Sequence, residues 1–112
     1  MELTKTKRIS QEFKKLKALY SELPENKKKL MMPLIQNASF MKVTLEDLQA
    51  TINQEGATDE YQNGANQFGR KQSANIQAYN SLIKNYNAVI DKLDKMLPPD
   101  TKKSKLDELI DE

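Results

Sequence analysis

The stretch ANIQAYNSLIKNYNAVIDKLDKML, residues 74–97, carries the pattern on which the fold turns. Ile76, Tyr79, Ile83, Tyr86, Ile90, Leu93 and Leu97 follow one another at alternating steps of 4 and 3. A helix advances by about 100° per residue, so this spacing lines the seven side chains along one seam. A repeat of 3.5 residues held over three heptads is the signature of left-handed coiled-coil packing. Ser73 precedes the stretch as an N-cap and Pro98-Pro99 closes it, so the spacing predicts a helix over 74–97.

Upstream, Met31, Leu34, Ala38, Met41, Leu45, Leu48 and Ile52 repeat the same alternation. Pro24 suits the first position of this second helix, where a missing N–H costs nothing. Pro33 lies inside the pattern and is expected to kink the helix or reset its start. Gly56 stands where a helix ends. Taken over 33–55, the segment is about 35 Å long at roughly 1.5 Å per residue, like the segment downstream. Matched lengths joined by a polar loop predict an antiparallel hairpin. Further upstream, Ile9, Phe13, Leu16, Tyr20 and Leu23 predict one more helix. No period-2 run indicates a strand. The expected fold is all-α: a long antiparallel helical hairpin with an additional N-terminal helix and coiled-coil-like packing. Residues 1–23 form the basic helix, 24–98 the hairpin with loop 56–73, and 99–112 an acidic tail.

Leu82, Val89 and Met96 recur every seven residues beside the main seam. Either the first helix covers this second row or another copy of the chain does. The width of the apolar surface favours a second copy, so these three residues are assigned to oligomerisation.

The 112-residue chain is 38% hydrophobic and 30% charged, which suits narrow seams with broad solvated faces in one domain. It has no cysteine and no histidine, so thiolate chemistry and the commonest general base and transition-metal ligand are excluded. No apolar run reaches the roughly 20 residues of a membrane span, and MELTKTKRIS lacks the apolar core of a secretory signal. The expectation is a soluble, intracellular protein. The net charge of +2 is uneven: residues 1–30 carry nine Lys/Arg and four Glu, and residues 100–112 three Lys and five Asp/Glu. A basic head and an acidic tail suggest different partners at the two ends, although ordinary solvated faces produce the same counts.

Loop 56–73, GATDEYQNGANQFGRKQS, holds an Asn63-Gly64 turn signal and Gly69, a residue free to take positive φ. Tyr61 and Phe68 flank the turn. The stretch EYQNGANQFGRKQS (60–73), then AYNSLIKNYNAVIDKLDKMLP (78–98), resembles the small terminase subunits of tailed phages. LIQNASFMKVTLEDLQATINQEG (34–56) fits the same pattern, so the resemblance covers roughly residues 24–98. It implies a role in viral genome packaging: binding double-stranded viral DNA, assembling as a homo-oligomeric ring, and delivering DNA to the large terminase subunit, which holds the ATPase and nuclease. It also implies the cytoplasm of an infected or lysogenic bacterial host. The chain departs from the commonest layout of that family, because residues 1–23 have room for one helix and not for a helix-turn-helix.

The candidates for DNA contact are Lys5, Lys7, Arg8, Lys14, Lys15 and Lys17 in the first helix, Lys27, Lys28 and Lys29 after it, and Arg70 and Lys71 in the loop. None belongs to a recognisable base-reading set, so backbone contact with low selectivity is expected. A solvated lysine-rich face and a purely structural connector are the simpler explanations of the same residues. In the tail, TKKSKLDELIDE, the apolar Leu106, Leu109 and Ile110 are spaced as one face of a short amphipathic helix suited to a groove on a partner, and a frayed, flexible terminus is the equal alternative. Catalysis has little support. GANQFGRKQS lacks P-loop spacing, and Asp91 and Asp94 alternate with Lys92 and Lys95 as on an exposed helix face. No enzymatic activity, metal or cofactor is expected. The alternative to a DNA adaptor is a coiled-coil interaction or regulatory scaffold that binds no nucleic acid.

Overall fold

A computed structural model describes residues 4–56, 58–62 and 68–97, with side chains for 4–56 and 72–97. Three helices make the body: α1 (Lys5–Ala18), α2 (Glu25–Glu55) and α3 (Ala74–Lys95). The long α2 packs against both α1 and α3 and forms an all-α helical hairpin with α3. Both neighbours run antiparallel to α2. Leu16 and Tyr20 near the end of α1, and Leu93 and Leu97 at the end of α3, share a core with Met31 and Ile35 near the start of α2. The outline is elongated, 64 × 33 × 24 Å.

The helix ends follow local chemistry. The Thr4 hydroxyl accepts from the Lys7 N–H at 3.2 Å and starts α1. The Ser73 hydroxyl accepts from the Asn75 and Ile76 N–H groups at 3.0 and 3.2 Å and starts α3, as expected. Gly56 ends α2 at φ 90°, and its N–H reaches the Ile52 carbonyl at 2.7 Å. An L side chain is disfavoured at that φ, which accounts for glycine.

Several expectations need correction. The second helix does not begin at Pro33. It runs unbroken from Glu25 for 31 residues, and Pro24 is its N-cap rather than its first helical residue. Pro33 is exposed, so solvent can serve the carbonyl one turn back that loses its N–H partner. The hairpin arms are therefore unequal, 31 residues against 22. The N-terminal helix stops at Ala18, and hydrogen-bonded turns carry the chain to Leu23.

The connector is not free of strands. Thr58–Gln62 (β1) and Phe68–Gln72 (β2) pair antiparallel in the register Thr58↔Gln72, Asp59↔Lys71, Glu60↔Arg70, Tyr61↔Gly69 and Gln62↔Phe68. The strands are polar on both sides of the alternation, so no hydrophobic period announces them. Asn63 and Gly64 lie outside the described residues, and Gly69 is a strand position.

The breadth of apolar surface also belongs to a different helix. Besides Met31, Ala38 and Leu45 of the expected seam, α2 buries Ile35, Ser39 and Val43. Ile35, Ser39 and Val43 step by four beside that seam, which widens the buried face of α2. The wide face is on the central helix because that helix has two partners. Ser39 fits there because its hydroxyl donates to the Ile35 carbonyl at 2.7 Å.

Candidate functional site

Helix α1 and the first turns of α2 hold nine of the chain's 18 Lys and Arg residues. Lys7, Lys14 and Lys17 are exposed and, at 100° per residue, fall within an arc of about 80° on α1. Lys27 and Lys29 are exposed at the start of α2. Among the described residues none of these five has an acidic partner within ion-pair distance.

The remaining candidates divide differently. Arg8 Nη1 meets Asp47 Oδ1 at 2.6 Å and Nη2 lies 3.9 Å from Glu46 Oε1, so this cation is spent tying α1 to α2. Lys28 pairs with Glu25 at 3.3 Å. Lys5 Nζ sits 5.0 Å from the centroid of the Phe40 ring, within reach of a cation–π contact. Lys15 is half-buried and has interactions of its own. Arg70 and Lys71 occupy β2 positions opposite Glu60 and Asp59, an acidic position across from each basic one. The structure gathers Lys7, Lys14 and Lys17 and leaves Arg8 out of the set.

Beside this arc lies a mainly apolar groove of about 260 Å³ between α1 and α2. Ala18, Tyr20, Met31, Met32 and Ile35 line it, and Lys14, Lys17 and Lys28 stand around it. The volume falls below the roughly 300–1,000 Å³ usual for small-molecule pockets and suits a few aliphatic side chains. Tyr20 connects the groove to the core. Burial, with the Asp94 carboxylate and Tyr86 nearby, pushes its pKa up to about 12. Tyr86 shifts in the same direction, first through burial and then through Glu12 and Glu46. Both phenols stay protonated at neutral pH.

The oligomerisation candidates Leu82, Val89 and Met96 are half-buried positions on α3. Val89 and Met96 pack on the shared core cluster, and Leu82 lies outside it. The large apolar side chains left exposed among the described residues are on α2: Leu30 at 68% and Phe40 at 51%. Reading the heptad alone misses both, since neither Leu30 nor Phe40 is one of its positions. Among the described residues no three carboxylates converge on a metal-sized site, and no helix is long and apolar enough to cross a membrane.

Comparison with protein-family models, curated proteins and solved structures finds no match to this chain.

Proposed function

We propose that this chain is a small-terminase-type adaptor: a DNA-binding homo-oligomer without enzymatic activity that presents double-stranded viral DNA to a large terminase subunit in the bacterial cytoplasm. The observation that carries the reading is the arc of Lys7, Lys14 and Lys17, exposed and without acidic partners among the described residues, beside the resemblance of residues 24–98. Helix α1 holds these lysines in fixed relative positions because Leu16 and Tyr20 anchor it in the core. The groups on offer are three point charges with no planar donor set, which fits phosphate contact and not base reading. Assembly repeats the arc and raises affinity through avidity.

Gel-shift titration of duplex DNA tests this. Three phosphate contacts per subunit give a salt slope near −2.7, or about a 40-fold loss of affinity between 50 and 200 mM salt for each subunit engaged. Lys7→Glu/Lys14→Glu/Lys17→Glu should abolish the shift while circular dichroism stays unchanged. Absence of binding by the wild type at low salt refutes the adaptor reading. Incubation with Mg²⁺ or Mn²⁺ should leave the DNA intact.

The alternative, an interaction scaffold that binds no nucleic acid, draws on the exposed Leu30 and Phe40 and on Arg8 being taken up by Asp47. It predicts no gel shift at any salt concentration.

A further inference from the structure

The groove between α1 and α2 has two properties that together narrow its occupant. Its floor is apolar, and its rim is cationic, with Lys14 and Lys17 from α1 and Lys28, paired with Glu25, from α2. A neutral apolar helix would leave the lysines unused, and a nucleic acid would leave the floor unfilled. The chemistry that satisfies both is a short segment with aliphatic residues on one side and carboxylates beside them.

The chain contains such a segment. Residues 106–112 read LDELIDE, with Leu106, Leu109 and Ile110 at the spacing of one helix face and Asp107, Glu108, Asp111 and Glu112 between and after them. These residues lie outside the described part of the chain. The last described residue, Leu97, is 7% exposed and belongs to the same apolar cluster as Tyr20, Met31 and Ile35, which also line the groove. Residues 98–105 then separate Leu97 from Leu106, a connector that reaches up to about 27 Å when extended. That is ample for two sites sharing one cluster. The short tether sets an effective concentration in the millimolar range, so modest contacts suffice.

We infer that residues 106–112 dock intramolecularly in the α1–α2 groove, with Leu106, Leu109 and Ile110 on its apolar floor and the carboxylates beside Lys14 and Lys17. The docking does not depend on DNA binding. Where the adaptor reading also holds, the docked acidic segment screens two of the three lysines of the arc, so tail and DNA exclude one another.

The chain has no cysteine, so engineered thiols give an unambiguous test. In the full-length chain, Met32→Cys/Ile110→Cys is oxidised at low protein concentration and compared with Lys84→Cys/Ile110→Cys, whose first thiol sits on the exposed face of α3. The docked tail should close the 32–110 disulfide within one chain about tenfold faster than the control, as expected for a local concentration raised by docking. Adding Lys14→Glu/Lys17→Glu should remove most of that advantage, with helicity and thermal midpoint monitored to confirm folding. Equal rates for the two pairs overturn the proposal. A disulfide that forms mainly between chains also overturns it and assigns the groove to a second copy. Because no DNA is present, either result is independent of the gel shift.

Discussion

The two ends of the helical body use the same heptad and reach different depths of burial. At the end where α1 finishes and α2 begins, three helices meet, and Leu16, Met31, Ala38 and Leu93 are fully sealed, with Tyr20, Ile35 and Leu97 nearly so. At the end nearer the β-ribbon only α2 and α3 remain, and Ile76, Tyr79, Ile83 and Ile52 are half-buried. The side chains are similarly apolar, so composition does not decide the outcome. Two helices cover a stripe from one side only; the third converts the stripe into a core. The tight end therefore provides most of the apolar stabilisation, and the ribbon end is the part an additional neighbour can complete.

The largest expected effect separates these ends directly. Leu93→Ala should cost about 3 kcal/mol in urea unfolding, as a sealed leucine leaves a cavity among three helices. Ile83→Ala should cost less, nearer to about 1 kcal/mol, because that side chain is only partly buried. Equal losses would erase the distinction.

The next effect is alkaline. Tyr20 is neutral when folded up to about pH 12, while the unfolded phenol ionises near its ordinary value of 10.0. Between those values the unfolded state has lost a proton that the folded state still holds, so stability falls as pH rises. The associated stabilisation is present below pH 10 and amounts to about 2–3 kcal/mol at most. Tyr20→Phe should flatten this part of the stability-against-pH curve; a decline as steep as that of the wild type would show that other groups cause it.

The ionic ties of α1 to α2 come lower. Arg8→Ala, which breaks the contact with Asp47, should cost under about 1 kcal/mol because both side chains are partly exposed. The difference from wild type should shrink further in 1 M salt, where the Debye length falls to about 3 Å. The smallest change is in the ribbon. Asp59→Lys puts like charges opposite one another at Lys71 and should cost a few tenths of a kcal/mol to 1 kcal/mol, measured as faster amide exchange of 58–62.

Much of the helical architecture was legible because heptads report faces directly. Ser73 and Gly56 were readable as helix ends because a capping hydroxyl and a positive-φ glycine act locally. Pro24 was readable as the start to within one residue, but the unbroken run through Pro33 was not, since an exposed proline is tolerated when its orphaned carbonyl is solvated, and sequence does not state which face will be wet. The ribbon was hidden by polar strands held by backbone pairing. The lysines of α1 were easy to find and harder to sort. Arg8 differs from Lys7 through contacts such as that to Asp47, a residue 39 positions away whose proximity comes from the antiparallel docking of α1 on α2. The apolar floor of the groove likewise exists only once Tyr20 and Met32 have been brought together from two helices.

An adaptor must assemble, and light scattering on the full chain eluting from a sizing column tests that requirement most directly. Leu82 is the cleaner probe of the proposed surface, because Val89 and Met96 already serve the internal core. The account predicts a species several times the 12.9 kDa chain mass at micromolar concentration, reduced toward one copy by Leu82→Asp with helicity retained. A wild-type chain that elutes at 12.9 kDa throughout that range, with DNA present or absent, would contradict it.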